Sequence, residues 1–175
     1  MRYVALLRGI NVGGKLMLKM EALRATFESL GFTGVKSYIN SGNLGFETAR
    51  TDDGKLAKSI HEAIEKDFGF DISVMVRSAA EINEIIANNP YIGQFENDKD
   101  MHVFFLASEL SDVNTQLLLA KNSDDEMITV NGRTIYYLLS ISIIDSVLGK
   151  GFVDKKLKVP ATARNWRTVR KLAEL

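Results

Sequence analysis

The sequence predicts an α+β fold built from two successive halves, on three observations. Short apolar runs of strand character alternate with segments that repeat apolar residues at helical spacing. Over residues 1–77 the order is strand, helix, strand, strand, helix, strand. After a polar, acidic stretch at residues 93–101 a similar order begins again.

Residues 3–7, Tyr-Val-Ala-Leu-Leu, are an apolar run that suits a buried strand. Met20, Leu23, Phe27 and Leu30 recur at helical spacing, so a helix is expected from about Lys19, with Gly31 just past its end. Residues 35–39 give a second strand, Ser41-Gly42 signals a tight turn, and residues 43–46 open a third strand. Leu56, Ile60, Ala63, Ile64 and Phe68 mark a second helix, started by Asp52-Asp53, whose carboxylates suit a helix N-terminus, and closed by Gly69. Ile72, Val74 and Val76 alternate as a fourth strand. This β-α-β-β-α-β order is that of a ferredoxin-like split unit.

Ile82, Ile85 and Ile86 predict a short third helix that ends before Pro90. Residues 103–106 read as a buried strand, and Val113, Leu117 and Leu118 as a helix. Residues 127–130 and 134–139 are strands joined by Asn131-Gly132, a strong two-residue hairpin signal. A helix is expected near residues 144–148, with Ile141 and Ile143 alternating as strand before it. The expected organisation is a ferredoxin-like half at 1–77, a connecting helix and linker at 78–101, and a second α+β half with a C-terminal helix at 102–175. That amounts to a structural duplication whose second half is incomplete, lacking a clear last strand. In the terminal helix Thr162 is the expected N-cap, Trp166, Val169, Leu172 and Ala173 form an apolar face, and Arg164, Arg167 and Lys171 line another.

Composition narrows function. Lys plus Arg and Asp plus Glu balance at 22 each, which weighs against bulk binding to nucleic acid or to an anionic membrane and leaves room for a local basic patch. The absence of cysteine excludes disulfides, thiolate zinc sites and cysteine nucleophiles. No apolar run approaches the roughly 20 residues that span a bilayer, and Arg8 and Asn11 interrupt the first one, so a cytoplasmic protein is expected.

The stretch Arg8-Gly9-Ile10-Asn11-Val12-Gly13-Gly14-Lys15 carries most information about a site. It lies where a strand hands over to a helix, a common place for ligand contacts. Gly9 through Gly14-Lys15 has the spacing of a phosphate-binding P-loop, but Leu16 stands where a magnesium-binding Ser or Thr belongs, and the helix starts too late to cradle phosphate. The split topology also lacks the parallel sheet of such nucleotide-binding domains. In a β-α-β-β unit this loop and the turn Asn40-Ser41-Gly42-Asn43 share one edge of the sheet. Two polar turns, a helix N-terminus, Lys15 and Lys19 there could form an anion pocket. The plainer reading is that the glycines only let the backbone turn and the asparagines cap turns.

Other candidates are weaker. Arg164-Asn165-Trp166-Arg167 offers guanidinium forks and a stacking face, against the plainer reading of a docked terminal helix. His61 and His102 lack metal-ligand spacing, so no metal is expected. Ser37, Ser41 and Thr162 have no identifiable base and no nucleophile elbow appears, so no catalytic residue is assigned. Phe104 and Phe105 lack the basic and glycine company of an RNA-recognition platform and are expected in the core.

Three stretches together resemble an uncharacterised bacterial family, domain of unknown function 1697. They are residues 5–14, Ala-Leu-Leu-Arg-Gly-Ile-Asn-Val-Gly-Gly, then Ser41-Gly42-Asn43, then residues 162–169, Thr-Ala-Arg-Asn-Trp-Arg-Thr-Val. Leu16 and Met17 depart from it, where polar residues are expected after Lys15. The resemblance implies an α+β fold and a cytoplasmic bacterial protein, and no activity, substrate or cofactor.

The expected function is a non-catalytic binding module for a small anionic ligand or a nucleic-acid phosphate. Its expected residues are Arg8, Asn11, Gly13, Gly14, Lys15, Ser41, Asn43, Arg164, Asn165 and Arg167. The alternatives are an enzyme of unassigned chemistry at the same edge, and a structural role in which these polar groups lock the two halves. Neither a cofactor nor a membrane partner is expected.

Overall fold

The computed structural model describes residues 1–175. The protein is a mixed α+β chain with two four-stranded antiparallel sheets and six α-helices. It divides into two compact units, residues 1–84 together with 171–175, and residues 85–170.

The first unit holds β1 (Arg2–Leu7), α1 (Met20–Ser29), β2 (Thr33–Tyr38), β3 (Asn43–Glu47), α2 (Asp53–Phe68), β4 (Val74–Ser78) and the start of α3 (Ala79–Ala87). Its sheet runs β2-β3-β1-β4. The alternate residues Tyr3, Ala5 and Leu7 of β1 face a core with Leu44, Phe46, Val74 and Val76, closed by Leu23 and Phe27 of α1 and Leu56, Ile60 and Ile64 of α2. Phe46 anchors it. Its ring stacks on Phe32 at 4.4 Å and meets Phe27 edge-on at 5.6 Å.

Both ends of α2 are as its sequence demands. The Asp52 carboxylate accepts from the Lys55 amide at 3.0 Å, satisfying one of α2's free N–H groups. Gly69 closes α2 at φ 73° and donates to the Glu65 carbonyl at 2.8 Å. In the middle of β3, Gly45 leaves room for the chain's end, since a Cβ there would sit 2.7 Å from Leu175.

The second unit holds β5 (Met101–Leu106), α4 (Asp112–Leu119), β6 (Glu126–Asn131), β7 (Thr134–Leu139), a single 3-10 turn at Ile143–Asp145, α5 (Phe152–Lys155), β8 (Ala161–Asn165) and most of α6 (Trp166–Leu172). Its sheet runs β6-β7-β5-β8. Phe104, Leu106, Ile135, Tyr137 and Leu139 build its core with Leu118, Leu148, Val153 and Leu157. A hairpin joins β6 and β7 as expected, but its two-residue loop is Gly132-Arg133, because Asn131 pairs with Thr134 at the end of β6; Gly132 sits at φ 56°.

Two further expectations are corrected here. The second half does possess its last strand. Residues 161–165 pair with β5, Phe105 opposite Thr162 and Val103 opposite Arg164. Thr162 is therefore mid-strand. The helix starts at Trp166, where the Asn165 side-chain oxygen accepts from the Thr168 amide at 3.0 Å. Local helix signals lost to β5's need for a second hydrogen-bonded neighbour. Residues 144–148 form no regular helix and no strand precedes them. The Glu126 carboxylate takes the Val147 amide at 2.8 Å, the Ser146 hydroxyl donates to the Ile143 carbonyl at 2.7 Å, and the chain folds back tightly. The helix expected at Val113, Leu117 and Leu118 is present as α4, with Leu118 buried and Val113 and Leu117 70% and 51% exposed. Its apolar residues cover more than one face, so spacing alone did not fix which face is buried.

Gly149 marks the tightest point of that reversal, because a Cβ there would lie 1.6 Å from the Ile143 carbonyl oxygen. Gly149→Ala is expected to destabilise the protein by about 3 kcal/mol or more, as steric clashes with backbone do. Gly93→Ala, at φ 84° in open space, is expected to cost only about 1 kcal/mol. Urea denaturation of both variants checks the contrast, and equal losses would refute it.

Candidate functional site

The loop after β1 is organised by one side chain. Asn11 donates from Nδ2 to the Leu18 carbonyl at 3.0 Å and to the Asn40 carbonyl at 2.8 Å, while its Oδ1 accepts from the Leu18 amide at 2.7 Å. Both amide hydrogens and the side-chain oxygen are thus used within the chain. Asn11 sits at φ 55°, a left-handed conformation that Asn tolerates better than most residues. Its carboxamide ties together the loop, the approach to α1 and the β2–β3 turn.

Within this frame the glycine pair has a specific task. The Lys15 amide donates to the Val12 carbonyl at 3.0 Å, and the Asn11 amide donates to the Leu16 carbonyl at 3.1 Å. Gly13 and Gly14 have φ 59° and 72°. Positive φ at both central positions is the mark of a type I′ hairpin turn, where Gly-Gly is favoured. Residues 11–16 are therefore a miniature hairpin that projects Lys15, and α1 starts only at Met20. This is not the geometry of a phosphate-cradling P-loop.

The β2–β3 turn lies alongside. The Leu7 amide donates to the Gly42 carbonyl at 2.8 Å, so the end of β1 is bonded to the turn. A Cβ on Gly42 would come 2.7 Å from the Leu7 Cβ, which makes glycine necessary at this approach. Asn43 is fully buried and donates to the Tyr38 carbonyl at 3.1 Å and to the Ser41 hydroxyl at 2.9 Å. Arg8 and Lys15 are exposed, and the Arg8 amide donates to the Ser73 carbonyl at 3.0 Å.

The electrostatics of this edge are one-sided. The loop residues 8–19 carry Arg8, Lys15 and Lys19 and no acid, and the turn residues 39–43 carry no charge; Arg2, at the far end of β1, is paired with Glu47, and Glu21 lies in the first turn of α1. In a chain of zero net charge this concentrates positive potential at one sheet edge.

Arg8, Asn11, Gly13, Gly14, Lys15, Ser41 and Asn43 belong to the first unit, and Arg164, Asn165 and Arg167 to the second. Arg164 on β8 is buried. Its Nη1 donates to the Thr162 hydroxyl at 2.7 Å and to the Ala163 carbonyl at 2.9 Å. Burial pulls its pKa down to about 10, which leaves it cationic at neutral pH. Arg167 is exposed. Trp166 is buried, with Phe95 edge-on at 6.4 Å, and so presents no open stacking face.

Sequence reasoning passed over Arg77. It lies on β4, is 2% exposed, and donates from Nη1 to the Val76 carbonyl at 2.9 Å. Its place matches that of Arg164: each is on its sheet's last strand opposite the third residue of the first, Val4 or Val103, and each bonds the preceding carbonyl. A charged residue directly after the apolar run Val74-Met75-Val76, still within strand, was the signal that could have found it.

The second unit also buries a polar group of its own. The Tyr137 hydroxyl donates to the Glu126 carboxylate, and desolvation together with that bond pushes the phenol pKa up. Tyr136, which donates to the Ile85 carbonyl at 2.8 Å, is pushed up to about 12 by burial. On β5, His102 lies between Tyr137 and Asn165 in the sheet register, and its Nδ1 has no hydrogen-bond partner.

Residues 1–136 match the family described as Protein of unknown function (DUF1697). The chain belongs to that family. The matched span contains the glycine hairpin and the Ser41-Gly42-Asn43 turn, while residues 162–169 lie beyond it. The chain is also similar to a solved structure described as the conserved bacterial protein SP0830 from Streptococcus pneumoniae, at 25% identity and a TM-score of 0.77, over 99% of this chain and 97% of that one. No curated protein matches the chain. No helix of this family member is long and apolar enough to cross a membrane.

Two outcomes follow from these contacts. Asn11→Ala strips partners from the Leu18 amide and from the Leu18 and Asn40 carbonyls, so a loss of about 2 kcal/mol is expected in urea denaturation, with faster hydrogen exchange at the Leu18 amide. A loss below about 0.5 kcal/mol would show that water replaces the carboxamide at no cost. For His102, burial lowers the folded-state pKa below its ordinary value of 6.5, against a smaller raising effect of Asp100. Below that value the unfolded chain takes up the proton first, so stability is expected to fall as pH drops from 6.5 towards the folded-state pKa. His102→Phe should flatten that part of the urea-midpoint profile, and an unchanged slope would refute the assignment.

Proposed function

We propose that the protein is a non-catalytic binding module for a small anionic ligand or a nucleic-acid phosphate group, held at the glycine-hairpin edge of the first unit. The observation that carries this reading is the acid-free loop 8–19, where an asparagine staple holds a hairpin turn that projects an exposed lysine. In this reading Arg8 and Lys15 supply charge, assisted by Lys19, and the Gly13-Gly14 turn lets an anion approach the backbone closely. Asn11 and Asn43 act as scaffold, because their amide groups bond the chain.

For Arg164 and Asn165 the favoured role is structural, on the observation that the guanidinium bonds its own strand and the Asn side chain caps α6. We also propose that each unit is a ferredoxin-like split fold and that the chain arose by duplication, with 1–77 and 102–175 as the copies and 78–101 as the connection. The shared strand order and the matched places of Arg77 and Arg164 support that reading.

The test is a thermal shift series with phosphate, pyrophosphate, nucleotides and short RNA. Wild type should be stabilised by at least one of them, following the mass-action law for ligands that bind only the folded state. Lys15→Ala and Arg8→Ala should remove most of that shift and leave the unliganded stability within about 0.5 kcal/mol. A shift that survives both substitutions, or no shift at millimolar ligand, would contradict the proposal.

A further inference from the structure

The hairpin edge displays apolar side chains as well as charge. Val12, Met17 and Ile39 are 63%, 61% and 52% exposed. Their placement is not scattered. Val12 follows Asn11, Met17 precedes Leu18, and Ile39 precedes Asn40, so each is chain neighbour to a group that the Asn11 carboxamide joins. Ile39 also holds φ 49°, a conformation that β-branched residues rarely adopt. The staple thus gathers three exposed aliphatic residues at an edge that bears Arg8, Lys15 and Lys19. A small phosphate would use the cations and leave these aliphatics in water. None of the three is aromatic, so they give bases nothing to stack on. An apolar centre with a charged rim is the anatomy of a protein interface.

A second exposed patch has the opposite charge. On α4, Asp112, Val113, Gln116, Leu117 and Ala120 line a shallow apolar groove. Residues 106–120 include Glu109 and Asp112 and no Lys or Arg, and the next residue, Lys121, lays its ammonium over the Phe152 ring. Asp112 lines the groove, and Glu109 stands exposed one helical turn's length of chain before it.

We propose that the basic aliphatic edge of one molecule docks on the acidic aliphatic face of α4 in a second copy of the chain. This rests on the reading of the hairpin edge as an anion-binding surface and names its anion as the carboxylates of α4. The two surfaces differ, so the contact is heterologous, and each docked pair retains one free edge and one free α4 face. Association then grows with concentration into rings or short open chains. The charged rim sets register and the aliphatic centre supplies burial.

Sedimentation equilibrium at low salt tests this with charge exchange. Wild type should rise above the 19.5 kDa monomer mass as concentration increases. The double variant Lys15→Glu/Lys19→Glu, acidic at both surfaces, and the double variant Glu109→Lys/Asp112→Lys, basic at both, should each remain monomeric. An equimolar mixture of the two variants should associate again, since each supplies what the other lacks. Thermal melts of each variant establish that it is folded. Val113→Ser/Leu117→Ser is a further variant with native charges, and it should also remain monomeric. Wild type that stays monomeric at every concentration would overturn the proposal, as would variants that associate singly or a mixture that does not. The underlying anion-binding reading fails separately, if Val113→Ser/Leu117→Ser, whose hairpin edge is intact, shows no thermal shift with pyrophosphate.

Discussion

The three hydrogen bonds of the Asn11 side chain are the constraint on which the rest of the hairpin edge depends. A single carboxamide fixes three stretches of chain that have no regular secondary structure of their own between β1 and α1 and between β2 and β3. Asparagine suits the position twice over. It supplies two donors and an acceptor in one plane, and it tolerates the positive φ that the turn requires. Aspartate would lose both donors, and glutamine would move the amide one methylene away. Around this joint the surrounding geometry follows: Gly13-Gly14 closes a tight hairpin, Gly42 lies against Leu7, and Lys15 stands exposed.

The same joint separates structural polar groups from available ones. A chain with many polar residues near one edge invites the idea that all of them meet a ligand. Hydrogen-bond accounting removes most of that idea, because a side chain whose donors are already bonded within the fold binds a ligand only by giving something up. Asn11, Asn43, Asn165 and the Arg164 guanidinium all have partners in their own units. Lys15 and Lys19 stand exposed in the same loop.

Much of the first unit was legible in the sequence because its signals are local. The continuous apolar run of β1, the alternating apolar residues leading into β4, the capping Asp52, and Gly69 after α2 each specify their conformation without reference to distant residues. The neighbouring of the hairpin loop and the 40–43 turn followed from topology alone. The second unit was harder because its decisive contacts are long-range. β8 exists because β5 needs a second partner, although Thr162 through Trp166 also satisfies helix-start rules. The fold-back at 143–149 is set by the Glu126 carboxylate, about twenty residues upstream. Arg77 was missed because a single charge in a strand reads as an outward-facing residue, whereas here it is buried.

The claim at the centre of this account is that the Asn11-built edge of the first unit is the anion-binding part of the molecule. An amide-resolved NMR titration with pyrophosphate tests it most directly. The account predicts shifts concentrated at Gly9, Gly13, Gly14, Lys15 and Asn40, with Asn165 through Thr168 unmoved. Shifts centred on Asn165 through Thr168, with the hairpin amides unmoved, would contradict it.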